Sequence, residues 1–266
     1  MSCEKKAEPS PAKPWVPVAG LPLPGHGRQE SEIALESADW VPAFEQLSRE
    51  RLIEIAYQFH PHVKPTSDQT PQEFEFLFNN APERIAMRNL QHLAWERLGT
   101  WRALVAAVRE QMPNGSWIRD RTIPGHDAAY FADFAPPKPE GATSLTTLTV
   151  HLSFLVPFYT YYEHRSVLKQ YPTMEKWEVV AVETEVSPEL QPLRTIVEQE
   201  ISRRYGYRRI DPSLLDIELE GLFIEGAYVE TRPTLMDALF SAYKALTAEK
   251  LRERAARSEI NHLQGQ

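Results

Sequence analysis

The chain has 266 residues, of which 42% are hydrophobic and 25% charged, the composition of an ordinary globular protein with enough length to bury its own core. A formal charge of −8 argues against a nucleic-acid binder that depends on a general positive field. One cysteine, Cys3, rules out an internal disulfide and argues against a cysteine-based metal site.

Residues 1 to about 30 carry Pro9, Pro11, Pro14, Pro17, Pro22 and Pro24 among Ser, Ala, Lys and Gly, a composition expected to form a disordered tether. The opening "MSCEKKAEPSPAKP" puts Ser before Cys and then a charged, proline-rich stretch. It resembles the mature start of a bacterial lipoprotein, in which a lipidated cysteine leads into a flexible linker. That resemblance covers a handful of residues and lacks a preceding apolar signal segment. It implies that Cys3 is an acylation site if a signal segment was trimmed, and an envelope location; otherwise Cys3 is an exposed thiol and the sequence reads as cytoplasmic.

Residues 31–266 are expected to form a single domain, helical over 39–112 and sheet-containing over 116–248. "DWVPAFEQLSRERLIEIAYQF" places Phe44, Leu47, Leu52, Ile55, Ala56 and Phe59 near one helical face, with Asp39 as its N-cap. Pro61 and Pro65 end it. "TPQEFEFLF" opens with Thr70 as N-cap, Pro71 in the first helical position and Glu73 at N3, the pattern of a capping box. From Pro82 to about Met112 an apolar stripe predicts a long helix, which Gly99-Thr100 would bend or split.

From residue 116 the periodicity changes. "WIRDRTIPGHDAAYFADF" predicts two strands around a Pro124-Gly125 turn. The next segment, "TSLTTLTVHLSFLVPFYTYYEHR", runs from Leu145 to Tyr162 without a formal charge. Leu148, Val150, Leu152, Phe154, Val156 and Phe158 fall on even positions, whereas Thr147, Thr149, His151 and Ser153 fall on odd ones. A period of two predicts a strand and excludes a membrane-spanning helix, which Pro157 would break in any case. Glu163, His164 and Arg165 read as its exit into solvent.

"WEVVAVETEV" (177–186) predicts another strand, and Ser187-Pro188 starts a helix closed by Gly206. "LLDIELEGLFIEG" alternates Leu215, Ile217 and Leu219 with Asp216, Glu218 and Glu220, which predicts a strand with an acidic outer face. A last helix begins near Pro233. Helices followed by strands with inserted helices predict an α+β fold with a mostly antiparallel sheet.

No G-x-S-x-G elbow, phosphate-cradling glycine loop or H-E-x-x-H motif occurs, so no cofactor and no metal are expected. His60 and His62 offer two imidazoles and no evident third ligand. His126 beside Asp127 follows a turn, where polar residues are common. His151, level with Thr149 and Ser153, is the most interesting histidine: with Glu183 or Glu185 from a neighbouring strand it would form a general base.

Two readings result. In the first, the protein is a non-enzymatic binder that presents Asp216, Glu218 and Glu220, together with Tyr159 and Tyr161, to a basic protein partner. Immunity and inhibitor proteins act in this way, and the comparison is one of function alone. In the second, it is a hydrolase or transferase using His151 or His126 with a carboxylate in a sheet cleft. Alternation of aromatics fits core packing as well as recognition, and the arginines of "SRRYGYRR" offer an intramolecular balance for the acidic segment.

Overall fold

The computed structural model describes residues 47–62, 69–122, 127–171, 174–224 and 233–240. The proposed tether, Asp39, Phe44, Cys3, His126 and the chain after Phe240 lie outside them. The fold is α+β with a mostly antiparallel sheet. Among the described residues no helix is long and apolar enough to cross a membrane.

Four helices come first: α1 (Arg49–Phe59), α2 (Pro71–Asn80), α3 (Pro82–Glu96) and α4 (Leu98–Gln111). Helix α1 starts at Ser48, whose side chain accepts from the Arg51 amide. Helix α2 has the expected capping box: Glu73 N–H donates to Thr70 Oγ1 at 3.2 Å, and Thr70 N–H donates to Glu73 Oε2 at 2.8 Å. The expected break in the long helix falls at Arg97 (φ −96°, ψ 6°) rather than at Gly99-Thr100. Because Trp101 and Leu104 must both reach the core, the chain turns before Leu98 and begins α4 there.

The sheet is a meander of β1 (Trp117–Asp120), β2 (Ala129–Ala135), β3 (Ser144–Ser153), β4 (Phe158–Gln170) and β5 (Glu175–Glu183), each antiparallel to its neighbour. The charge-free segment is therefore a hairpin rather than one strand. It turns at Phe154–Pro157, and Ser153 Oγ accepts from the Leu155 amide at 3.1 Å within the turn. Glu163, His164 and Arg165 lie inside β4, which continues to Gln170.

After β5 come α5 (Gln191–Tyr205), β6 (Arg208–Arg209), α6 (Pro212–Leu215) and α7 (Leu235–Leu239). Helix α5 ends on Gly206 at φ 67°, a left-handed conformation that glycine adopts without steric cost. Two-residue β6 pairs parallel with the start of β4, on the edge that β5 occupies further along.

The expected acidic strand is absent. After the single turn of α6, residues 216–224 run irregularly, tied down where Leu219 N–H donates to the Pro233 carbonyl and Leu235 N–H to the Ile217 carbonyl. Pro212 at the first position of α6 fixes a helical turn instead. The alternation survives without the strand: Leu215 and Leu219 are buried, whereas Asp216, Glu218 and Glu220 are exposed.

Leu148, Val150 and Leu152 face α4 and α5, where Trp101, Leu104, Val108, Val197 and Ile201 are fully buried. Trp101 stacks on Tyr130 at 5.4 Å and donates through Nε1 to Asp120. Helices α1, α3 and α7 close the end of the sheet where β2 begins and β3 ends. There Gln91 donates to the Asp127 carbonyl, Ala128 N–H to the Phe240 carbonyl and Ser153 Oγ to the Leu239 carbonyl.

Candidate functional site

The other face of the sheet is polar and still buried. Register places Phe131 opposite His151, Asp133 opposite Thr149, Thr149 opposite Tyr162 and Thr147 opposite His164. Alternation sends all of these side chains to one side. Thr149 Oγ1 donates to Asp133 Oδ1 at 2.7 Å and lies 3.2 Å from His164 Nδ1. Its one proton is committed to Asp133, so Thr149 accepts from His164 Nδ1–H. Arg121 donates to Asp133 Oδ2 at 3.4 Å and lies over the Phe131 ring at 5.2 Å, bringing the row toward solvent.

His151 lies in the middle of this row with no exposed surface. Its ring is parallel to Phe131 at 5.0 Å, and Nε2 is 3.2 Å from Tyr162 Oη. In either tautomer Nδ1 is left without a partner. Burial, assisted by the Arg121 charge, pushes its pKa down to about 3. Burial also lowers that of His164, with Asp133 opposing, and raises that of the Tyr162 phenol.

Glu183 and Glu185 are not partners of His151. Glu183 pairs with Glu163 at the far side of β4, and both Glu183 and Glu185 are exposed. The carboxylate on the His151 face is Asp133. Sequence reasoning passed over it, although a lone acid within the apolar run "AYFADFA" is a signal that something must pair with it. His151 is a neutral, stacked core residue with no open face toward a substrate.

Tyr159 and Tyr161 are 7% and 3% exposed and do not form a recognition surface. They face α5, and Arg209 covers the Tyr161 ring at 3.9 Å. The tyrosine beside the acidic segment is Tyr57, whose Oη donates to the Glu220 carbonyl at 3.0 Å and whose ring stacks on His62 at 4.8 Å. His60 is buried, with Nε2 donating to the Ala238 carbonyl at 2.9 Å, whereas His62 is exposed. Among the described residues no three His, Cys, Asp or Glu side chains converge on a metal position.

Three of the four "SRRYGYRR" arginines have partners away from the acidic segment. Arg203 and Arg204 pair with Glu200 at 2.6 and 3.0 Å, and Arg209 donates to the Thr184 carbonyl.

A cavity of about 140 Å³ opens where the α3–α4 break meets the end of α5. Tyr130, Tyr205, Tyr207, Phe154 and Leu152 line its interior, with Arg97, Thr100 and Arg204 nearer solvent. No histidine, cysteine or carboxylate lines it, and the hydroxyl of Ser153, which does, is committed to the Leu239 carbonyl. A second, smaller cavity beside His60, Arg84, Asp127 and Asp237 has about 10 Å³, room for about one water.

Comparison with protein-family models, with curated proteins and with solved structures finds no match to this chain.

Proposed function

We propose that the protein is a non-enzymatic binder whose acidic edge, Asp216, Glu218 and Glu220, meets a basic protein partner. The observation that carries this reading is the alternation of residues 215–220. Buried Leu215 and Leu219 anchor an irregular segment in which Asp216 and Glu218, between them, and Glu220, just after, are all exposed. Backbone hydrogen bonds to Pro233 and Leu235 hold that segment in place, so the row is presented with little ordering left to lose on association.

Aligned exposed charges of one sign steer an oppositely charged partner and raise its on-rate. The adjoining Tyr57–His62 stack offers a flat aromatic face, over which an arginine or lysine of the partner packs well. Arg203 and Arg204 pair with Glu200, and Arg209 with the Thr184 carbonyl, away from the row. The catalytic alternative loses its leading residue, because His151 is enclosed and held neutral.

The test is affinity capture from the source lysate at low and high salt, followed by association kinetics with the purified captured protein. Wild type should bind with an on-rate that falls steeply with ionic strength. The variant Asp216→Lys/Glu218→Lys/Glu220→Lys should keep its circular dichroism spectrum and lose at least tenfold in on-rate, the scale of electrostatic steering. Equal on-rates for the folded variant and wild type would sink the proposal.

A further inference from the structure

We propose that the cavity between the α3–α4 break and the end of α5 is a binding site for a small aromatic monocarboxylate. Three features define the ligand. The first is size: about 140 Å³ is close to the roughly 150 Å³ of an engineered apolar cavity that takes up benzene. One six-membered ring fits such a space.

The second feature is the walls. Tyr130 is fixed parallel to Trp101 and edge-on to Phe154 at 4.6 Å. Tyr205 and Tyr207 meet at 5.5 Å with their planes 59° apart. A ring entering this box meets both faces and edges of aromatic neighbours, the arrangements that aromatic pairs favour.

The third feature is polarity. Tyr205 is buried and its Oη has no hydrogen-bond partner, a state that buried hydroxyls rarely adopt without a function. Burial holds that phenol firmly protonated, so it remains a donor. At the mouth are Arg97 and Arg204, the latter oriented by its Nε bond to Glu200. Guanidinium groups match the planar, two-oxygen shape of a carboxylate. Glu200 offsets part of this charge, but Arg203 and Arg204 share that one carboxylate, so these three groups together stay positive.

Placement of the mouth follows from the helix break. Arg97 has the non-helical conformation that ends α3 and begins α4. Residues on both sides of this junction, Ala94 and Arg97 before it and Thr100 after it, line the cavity.

The experiment uses the full chain and benzoate, with benzamide as its neutral counterpart. Amide chemical shifts are followed by NMR, and affinities are taken from the same titrations. Benzoate should shift the amides of Ala94, Tyr130, Tyr205 and Tyr207 saturably, and benzamide should bind about tenfold more weakly, as the loss of one charge-assisted contact predicts. Arg97→Gln, at an exposed position, should weaken benzoate about tenfold and leave benzamide unchanged. Thr100→Phe should block both by filling the mouth. The proposal is overturned if those amides do not shift at millimolar benzoate, if benzamide binds as tightly as benzoate, or if Arg97→Gln leaves benzoate binding intact.

Discussion

Two enclosed histidines should make this protein acid-sensitive well above the carboxylate range. Folding holds His151 at a pKa of about 3 and His60 at about 4, against an ordinary value of 6.5. In both cases burial is the first cause; for His60 the Ala238 carbonyl opposes it. A depressed histidine pKa means that the unfolded chain binds the proton more readily than the native one. Stability is therefore complete above about pH 6.5 and is lost as pH falls toward each folded value. At pH 5 the unfolded state gains about 1.5 pH units of protonation per histidine, or about 2 kcal/mol each at about 1.4 kcal/mol per unit. Together the two should cost about 4 kcal/mol between pH 8 and pH 5, a large share of an ordinary domain's stability.

Urea unfolding at several pH values and constant ionic strength measures this directly. His151→Phe preserves a ring between Phe131 and Tyr162 and removes one titration. It should lower stability at pH 8, because Tyr162 loses a polar neighbour, and reduce the drop between pH 8 and pH 5 by about 2 kcal/mol. His164, also lowered by burial, acts in the same direction in both proteins. The carboxylates with lowered pKa, such as the exposed Glu73 and the half-buried Glu178, titrate below this window. If wild type and His151→Phe have parallel pH profiles, the reasoning about His151 is wrong.

Thr149→Val removes the donor to Asp133 and the acceptor for His164 while keeping the shape of the side chain, and should cost about 1–3 kcal/mol by chemical denaturation. Gly206 and Gly221 both have positive φ, at 67° and 79°, but differ in surroundings. Gly206→Ala meets open space and should cost about 1 kcal/mol from the left-handed backbone alone. In Gly221→Ala the new Cβ would lie 3.0 Å from His62 Nδ1 and disturb the Tyr57–His62 stack, so its thermal shift should exceed that of Gly206→Ala. In the His62→Ala background that excess should disappear.

The elements that were legible from sequence are those in which local chemistry and tertiary packing agree. Thr70, Pro71 and Glu73 satisfy the end of α2 without help from the rest of the chain, and Gly206 closes α5 by its own freedom. Elements that depended on distant partners were misread. Parity in 148–158 continues across the β3–β4 turn, since Phe154 and Val156 are buried in the turn as they would be in a strand. Residues 215–220 alternate because anchors and acids alternate, a pattern that needs no sheet partner. Of the candidate sites, the acidic row was legible because exposure follows from charge. The cavity was not, because Arg97, Tyr130, Phe154 and Tyr205 come from separate stretches of chain and meet only through tertiary packing.

The buried polar row on the second sheet face has a consequence for how the strands choose their alignment. In a sheet with one wet face, sliding a strand by one residue would expose its apolar set to water, and that penalty fixes the pairing. Here Thr147, Thr149, His151 and Ser153 are as enclosed as Leu148, Val150 and Leu152. Solvent exposure alone discriminates less between alternatives. The discrimination passes to complementarity: Asp133 finds Thr149, Thr149 finds His164, and His151 finds Tyr162 in one alignment. A slip would strand each of these groups without its mate in a dry interior, where an orphaned polar atom is expensive. The row thus acts as a key that admits one pairing of β2, β3 and β4.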